Sequence, residues 1–151
     1  MAKPFRLQAL LDQKRREEDE AMRALGAHEG DLRRATETLE ILREAEETQL
    51  RHLDDLARAE RFDAEISADA TAYLERVEHS IAAQRGAIEE AEARVAESRD
   101  ALMEVLKEKR ALERLREQHL EHEAREAGLR EAREVDDITT ARYTRHLQER
   151  G

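Results

Sequence analysis

Four side chains that could bind a metal lie close together in the sequence: His119, His122, Glu123 and Glu126. On a helix, their spacing of three and four residues places them on one face, and imidazole and carboxylate are common metal ligands. Helix-bundle metal sites, however, carry a Glu three residues before each His, and here those positions hold Arg116 and His119. We therefore expect no metal site, and we interpret these residues as a polar, solvated part of a helix surface.

The composition indicates that long helices position these side chains. Of 151 residues, 42% are charged and 3% aromatic, with one Pro, five Gly and no Cys. The abundant Ala, Glu, Arg and Leu are strong helix formers, and this profile is typical of coiled coils. We expect a single elongated, all-α coiled-coil domain over residues 1–151 without a large buried core.

The clearest pattern is a heptad repeat that begins at Leu74 and reaches Leu112. Its apolar residues recur at every seventh position, and a companion position follows each of them after three residues. The repeat comprises Leu74, Ile81, Ile88, Val95 and Leu102, with companions Val77, Gln84, Ala91, Ser98 and Val105, and the companion positions continue to Leu112. An apolar seam this narrow is typical of a coiled coil and requires a partner helix.

The first half of the chain carries a seam in the same frame. It comprises Leu25, Leu32, Leu39, Glu46 and Leu53, with companions His28, Ala35, Leu42, Gln49 and Leu56. Pro4 suits the first turn of a helix, where its missing N–H costs nothing. The pattern predicts a first helix over about residues 5–62, and His28 is interpreted as a polar residue tolerated in the seam.

Four weak core positions separate the two seams: Glu60, Asp63, Ser67 and Ala70. Ser67, Asp69 and Thr71 are all favourable helix N-caps. We therefore predict a turn over about residues 62–70, a second helix over about 69–135 and a C-terminal tail over 136–151.

Beyond Leu112, the apolar residues of the second helix change their phase. Leu115, His122 and Leu129 form a new series spaced by sevens. This pattern predicts a phase shift of the seam, which alters supercoiling without ending a helix.

Two helices joined by a turn predict an antiparallel coiled-coil hairpin, and the alternative is one continuous helix in a parallel dimer. Two registers fit the hairpin. In the favoured one, paired residue numbers sum to about 130 and Glu46 lies opposite Gln84, whereas in the other they sum to about 137. In both, the second helix outlasts the first, so that Ile138, Tyr143 and Leu147 are available to another protein.

Charge and hydropathy exclude several classes of function. The net charge is −10, with both signs interspersed, whereas nucleic-acid binding normally requires a basic stripe. No apolar run approaches the ~20 residues of a membrane span, and no secretion signal is expected, which favours a cytosolic location. A two-helix protein also offers no concave, water-poor pocket for catalysis. We expect no enzyme activity, no cofactor, no nucleic-acid binding and no direct membrane insertion.

Three landmarks, in order, resemble the FliJ family of flagellar export proteins. The start, Phe5 to Asp12, is similar to that family's F-x-L-x-x-L-L-D, and Ile66-Ser67-Ala68 with Tyr73-Leu74 is similar to its I-S-A…Y-L stretch. The ending, Glu113 to Glu117 followed by Glu134 to Ile138 and Arg142-Tyr143, resembles its L-E-x-L-R-E…D-E-I-A…R-Y. The resemblance covers the whole chain.

The resemblance implies a component of the flagellar type III protein export apparatus, needed for flagellum assembly, motility and chemotaxis. Such proteins are non-enzymatic antiparallel coiled coils located in the cytoplasm, at the cytoplasmic face of the inner membrane beneath the flagellum. The implied partners are the hexameric export ATPase, the large membrane-bound export gate subunit and export chaperones. The alternative is a generic coiled-coil scaffold or adaptor unrelated to flagella.

The resemblance also implies two sets of partner-binding residues. The residues expected to face the export gate are Leu42, Gln49, Tyr73, Val77 and Gln84. The residues expected to enter the ATPase ring are Phe5, Leu7, Leu11, Ile138, Arg142 and Tyr143. Family members often place aromatic residues in the gate-facing part of the first helix, where this chain has Ala45 and Gln49.

Overall fold

The computed structural model describes residues 3–150 and contains two helices, α1 (Gln8–Arg58) and α2 (Ala64–Arg150). The described residues contain no strand. The two helices pack against each other as an antiparallel hairpin, which confirms the predicted fold class. The alternative of one continuous helix does not occur, because the chain reverses its direction over residues 59–63.

Asp63 sets the start of α2. One of its carboxylate oxygens accepts hydrogen bonds from the main-chain N–H groups of Glu65, at 3.0 Å, and Ile66, at 3.2 Å. This is the geometry of an N-cap, which satisfies main-chain donors that have no partner in the first turn of a helix. The turn therefore lies earlier than the predicted 62–70, and the predicted caps at Ser67 and Asp69 lie inside the helix.

The first of two compact units comprises residues 19–103 and is called the turn unit. Its core is a cluster of the buried side chains Leu39, Val77 and Ile81, against which Leu42, Ala45 and Ile88 pack. All six are apolar, and all except Ala45 occupy predicted seam positions. Burial of such side chains is the main term that holds two amphipathic helices together.

The register in the turn unit differs from both predicted registers. The side-chain amide of Gln84 donates to the carbonyl oxygen of Ala35 at 2.9 Å, and that of Gln49 donates to the carbonyl oxygen of Ala70 at 3.0 Å. The residue numbers sum to 119 in both pairs, Gln49 with Ala70 and Gln84 with Ala35, which is about 11 below the favoured value of about 130. Glu46 therefore does not lie opposite Gln84. The change of register follows from the position of the turn. Because the turn lies earlier in the chain than predicted and is shorter, each residue of α1 pairs with a residue of lower number on α2.

The second compact unit, called the terminal unit, comprises residues 3–18 and 104–150 of the described chain. Leu11 is fully buried in it, and Leu112 is also buried. Its α2 positions of low exposure include Val105, Lys109, Leu112, Arg116, His119, Glu123 and Glu126. These keep alternating steps of four and three residues, so the seam does not shift its phase as predicted.

The C-terminal part of α2 also differs from the prediction. The helix was expected to end near residue 135 and to give way to a tail over 136–151, but it continues to Arg150. The acidic and β-branched stretch from Val135 to Thr140 is helical throughout. β-branched residues have a slightly lower helix propensity, but this cost of a few tenths of a kcal/mol per residue does not stop a helix.

Candidate partner-binding surfaces

The five residues expected to face the export gate do not form one exposed surface. Val77 is buried in the turn-unit core, and Leu42 packs against it. Gln49 and Gln84 are half-buried and donate hydrogen bonds between the helices. Tyr73 alone among the five has an exposed side chain. The other four lie between the two helices and hold them together beneath Tyr73.

Tyr73 lies beside charged residues that the sequence analysis did not single out. The Arg76 guanidinium carbon lies 5.6 Å from the centre of the Tyr73 ring, a cation–π contact. Ala72, Glu75, Arg76, His79 and Ser80 line an open depression along the same helix. Two apolar side chains near the turn, Phe62 and Ile66, are also exposed. Their positions off the seam were the sequence signal that could have identified them.

The N-terminal segment is tied to α2 inside the terminal unit. The imidazole Nε2 of His119 donates to the carbonyl oxygen of Lys3 at 2.8 Å, and the rings of Phe5 and His119 lie 5.7 Å apart. The Nε of Arg116 donates to the side-chain oxygen of Gln8 at 3.1 Å. Of the residues expected to enter the ATPase ring, Phe5 and Leu7 are thus half-buried and Leu11 is fully buried.

Two lysines in the terminal unit bridge the helices. Lys14 contacts Glu108 across the hairpin and Glu17 on its own helix, and Lys109 contacts Glu18 at 2.6 Å. Hydrogen bonds to these carboxylates, Glu108 foremost for Lys14 and Glu18 for Lys109, raise the pKa of both ammonium groups. The hydrogen bond from Lys14 lowers the pKa of Glu17. Lys14, Glu18 and Lys109 occupy seam positions where apolar residues would have been expected, whereas Glu108 is exposed.

The end of α2 is the largest exposed part of the chain. Every residue from Ala127 to Arg150 is exposed, including Ile138, Arg142 and Tyr143, which were expected to enter the ATPase ring. The first described residue, Lys3, already lies beside Glu123, to whose carboxylate its main-chain N–H donates at 3.3 Å. The described part of α1 therefore does not reach the last turns of α2.

Two of the four side chains considered for metal binding have contacts within the chain. His119 and Glu123 contact the N-terminal segment. Within residues 3–150, no group of three or more His, Asp or Glu residues is arranged to hold a metal ion. In the same range, neither helix contains a stretch that is long and apolar enough to cross a membrane.

The fold and these surfaces define an antiparallel helical hairpin with a coiled-coil seam and a long exposed helical end. A profile of the flagellar FliJ protein family matches residues 2–148, and the chain belongs to this family. This result confirms the resemblance inferred from the three sequence landmarks. No curated protein and no solved structure matches the chain. Membership gives the chain a role related to flagellar export, within a family of non-catalytic components.

Proposed function

We propose that this chain couples the hexameric flagellar export ATPase to the large membrane-bound export gate and also escorts export chaperones. It would act in the cytoplasm, at the cytoplasmic face of the inner membrane beneath the flagellum. Family membership supports a place in the export machinery. The single observation that carries the coupling role is the exposed end of α2, where apolar and basic side chains have no covering segment among the described residues.

The ATPase-binding surface in this proposal is centred on Ile138, Arg142 and Tyr143. Tyr143 is 63% exposed and Ile138 54%, and Arg142 is also exposed. Tyrosine and arginine are enriched among residues that dominate the energy of protein interfaces. A helix that presents such anchors at spacings of four and five residues suits insertion into a groove or a central hole.

The N-terminal residues Phe5, Leu7 and Leu11 contribute to the ATPase-binding surface in two ways. Phe5 and Leu7 are half-buried, so part of each side chain is free to contact the ATPase. Leu11 is fully buried and acts as a positioning residue that holds the N-terminal segment on α2. The gate-binding surface would be centred on Tyr73, with Leu42, Gln49, Val77 and Gln84 maintaining the helix pair beneath it.

Capture of the purified export ATPase by the immobilised full chain tests the first contact. Ile138→Ala, Arg142→Ala and Tyr143→Ala should each lower the captured fraction. For the tyrosine the affinity should fall about thirtyfold or more, because truncating an interface anchor costs about 2 kcal/mol or more. Met103→Ala is the matched control, since Met103 is also apolar and 66% exposed but lies in the turn unit. Undiminished capture by all three variants would contradict the assignment.

The cellular role has a separate test. A strain that lacks this chain should export little filament protein and swim poorly, and the unmodified chain should restore both properties. The Tyr143→Ala variant should restore them only in part, whereas the Met103→Ala variant should do so fully. Normal swimming and export in the deletion strain would refute the coupling role.

A further inference from the structure

The residues that predicted a phase shift form a second heptad series on α2. The series comprises Leu115, His122, Leu129, Asp136 and Tyr143, and all five are exposed. The exposed fractions of Leu115, Leu129 and Tyr143 are 45%, 53% and 63%. The face toward α1, by contrast, carries buried Leu112 and half-buried Arg116. At about 100° per residue, the second series is centred roughly a third of a turn away from that face.

The spacing of the second series indicates what kind of partner would cover it. Companion positions follow each member after three residues: Gln118, Arg125, Ala132, Thr139 and His146. Alternating steps of three and four residues match the knobs-into-holes packing of another α-helix. The second series includes the charged residue Asp136, and its companions include Arg125. The helix that covers them must therefore present opposite charges at the matching positions.

We propose that a second copy of this chain covers the series, with the two α2 helices antiparallel around a two-fold axis close to Arg130. Leu129 then lies opposite Ala132 of the second copy, and His122 lies opposite Thr139. In this arrangement Arg125 lies opposite Asp136 of the second copy. A two-fold axis repeats each contact, so the surface is complementary to itself.

The flanking charges favour the antiparallel arrangement over a parallel one. In the antiparallel pair, Glu126 lies beside Arg133 of the second copy, and Glu121 lies beside Arg142. In a parallel pair, Arg125 and Asp136 would each face their own counterparts, and Glu121 would lie beside Glu126. Opposite charges at flanking positions stabilise a coiled coil and set its orientation, whereas like charges oppose pairing.

The proposed dimer stands independently of the ATPase contact but covers part of the same surface. Tyr143 lies in the interface and Arg142 on its edge, so a dimerised chain does not offer these residues to the ATPase. Self-association therefore competes with capture by the ATPase and holds the chain in a reserve form. Because self-association is measured on the chain alone, failure of the dimer and failure of the ATPase contact are distinguishable.

Sedimentation equilibrium of the full chain between ~1 and ~100 μM tests self-association. We expect the mass to rise from one chain to two across this range. Leu129→Glu should weaken the dimer at least about tenfold, because it places a carboxylate in the seam. Leu120→Glu is the matched control, since Leu120 is 51% exposed but lies outside the series. A single-chain mass at every concentration, or equal effects of the two variants, would overturn the proposal.

A charge exchange tests the contact itself. Arg125→Asp and Asp136→Arg should each weaken the dimer about tenfold, because each creates two like-charge contacts across the two-fold axis. The double variant exchanges the charges and should restore the dimer to within about threefold. Circular dichroism should show the same helical content in all variants, since both side chains are exposed. Failure of the double variant to recover would overturn the pairing.

Engineered cysteines test the orientation, because the chain has none of its own. In the antiparallel dimer, position 115 of one copy lies opposite position 146 of the other. A mixture of Leu115→Cys and His146→Cys chains should therefore form a mixed disulfide on mild oxidation. If Leu115→Cys chains instead link mainly to one another, the helices are parallel and the proposed arrangement is wrong.

Discussion

The side-chain amide of Gln84 on α2 donates a hydrogen bond to the carbonyl oxygen of Ala35 on α1 at 2.9 Å. Gln84 occupies a companion position of the heptad seam, where an apolar residue would pack better. A polar residue in a coiled-coil core specifies the register when one alignment suits its hydrogen bond best. Here the acceptor residue is the small Ala35, whereas a slip of one heptad brings the bulkier Leu42 to its position. Slipping the hairpin by one heptad removes this bond and leaves the amide without the Ala35 carbonyl.

Replacement of Gln84 should change the register of the hairpin while leaving its free energy of unfolding nearly unchanged. Gln84→Leu should change the free energy of unfolding by no more than about 1 kcal/mol, because the lost hydrogen bond is offset by apolar packing. The alignment should become heterogeneous, which cysteine pairs can detect. His28→Cys with Ala91→Cys, whose numbers also sum to 119, reports the observed register, and Ala35→Cys with Ala91→Cys reports a slip of one heptad.

In the chain that retains Gln84, the 28–91 disulfide should form and the 35–91 disulfide should not. With Gln84→Leu, both should form. Gln13→Leu is the control, because Gln13 hydrogen-bonds within its own helix, to Glu17, and should leave the register unchanged. Formation of the 28–91 disulfide alone in the Gln84→Leu chain would show that Gln84 does not specify the alignment.

The heptad frame was predictable, but the register was not, for a definite physical reason. The spacing of Leu25, Leu32 and Leu39 gave the correct seam of α1, and that of Leu74 and Ile81 gave the seam of α2. A frame that repeats every seven residues fixes the alignment of two helices only to within a multiple of seven. The position of the turn decides among the multiples, and the turn contains no Gly or Pro to mark it.

The N-cap at Asp63 offers a test of that turn. Asp63→Ala should lower the free energy of unfolding by about 1 kcal/mol, because the N–H groups of Glu65 and Ile66 lose their acceptor. Asp63→Asn should cost less, since asparagine also caps helices well. Urea unfolding followed by circular dichroism measures both variants.

Asp69→Ala is the control for the cap, because Asp69 was a candidate cap in the sequence but lies within α2. There the alanine should be neutral or slightly stabilising, given its higher helix propensity. A larger loss for Asp69→Ala than for Asp63→Ala would place the start of the helix where the sequence first indicated.

The candidate site was less predictable than the fold, because hydropathy does not identify a polar seam. Lys109, Arg116 and His119 look like surface residues in the sequence, yet they lie on the helix face that meets α1 and the N-terminal segment before it. Their apolar stems and rings cover the partner helix while their polar ends find acceptors. Leu115 and Leu129 were consequently assigned to the seam toward α1, although they lie on the exposed face.

The bridging ion pairs of the terminal unit predict how stability depends on pH. The pKa of Glu17 is lowered in the folded chain, so its stabilising contribution is present above the ordinary value of 4.5 and is lost as the pH falls through the lowered pKa. The pKa values of Lys14 and Lys109 are raised, so their contributions are present below 10.5 and are lost as the pH rises through the raised values.

Melting temperatures measured over a range of pH test the loss of stability at both the acid end and the alkaline end. Glu17→Gln should reduce the loss of stability in acid, and Lys109→Gln should reduce the loss above pH 10.5. High salt should diminish both differences, because it screens partly exposed charges. Lys107→Gln serves as the control, since Lys107 is exposed and its replacement should leave the alkaline limit unchanged. Identical pH profiles for Lys109→Gln and the unmodified chain would show that the bridge to Glu18 contributes nothing.

Leu11 and its neighbour Leu10 provide a matched pair in the terminal unit. Leu11 is fully buried, whereas Leu10 is 40% exposed. Leu11→Ala should lower the free energy of unfolding by about 2–4 kcal/mol, because it removes apolar contacts and leaves a cavity. Leu10→Ala should cost less than about 1 kcal/mol, since much of its side chain already contacts water. Urea unfolding of the two variants makes the comparison, and equal losses would show that Leu11 does not anchor the N-terminal segment to α2.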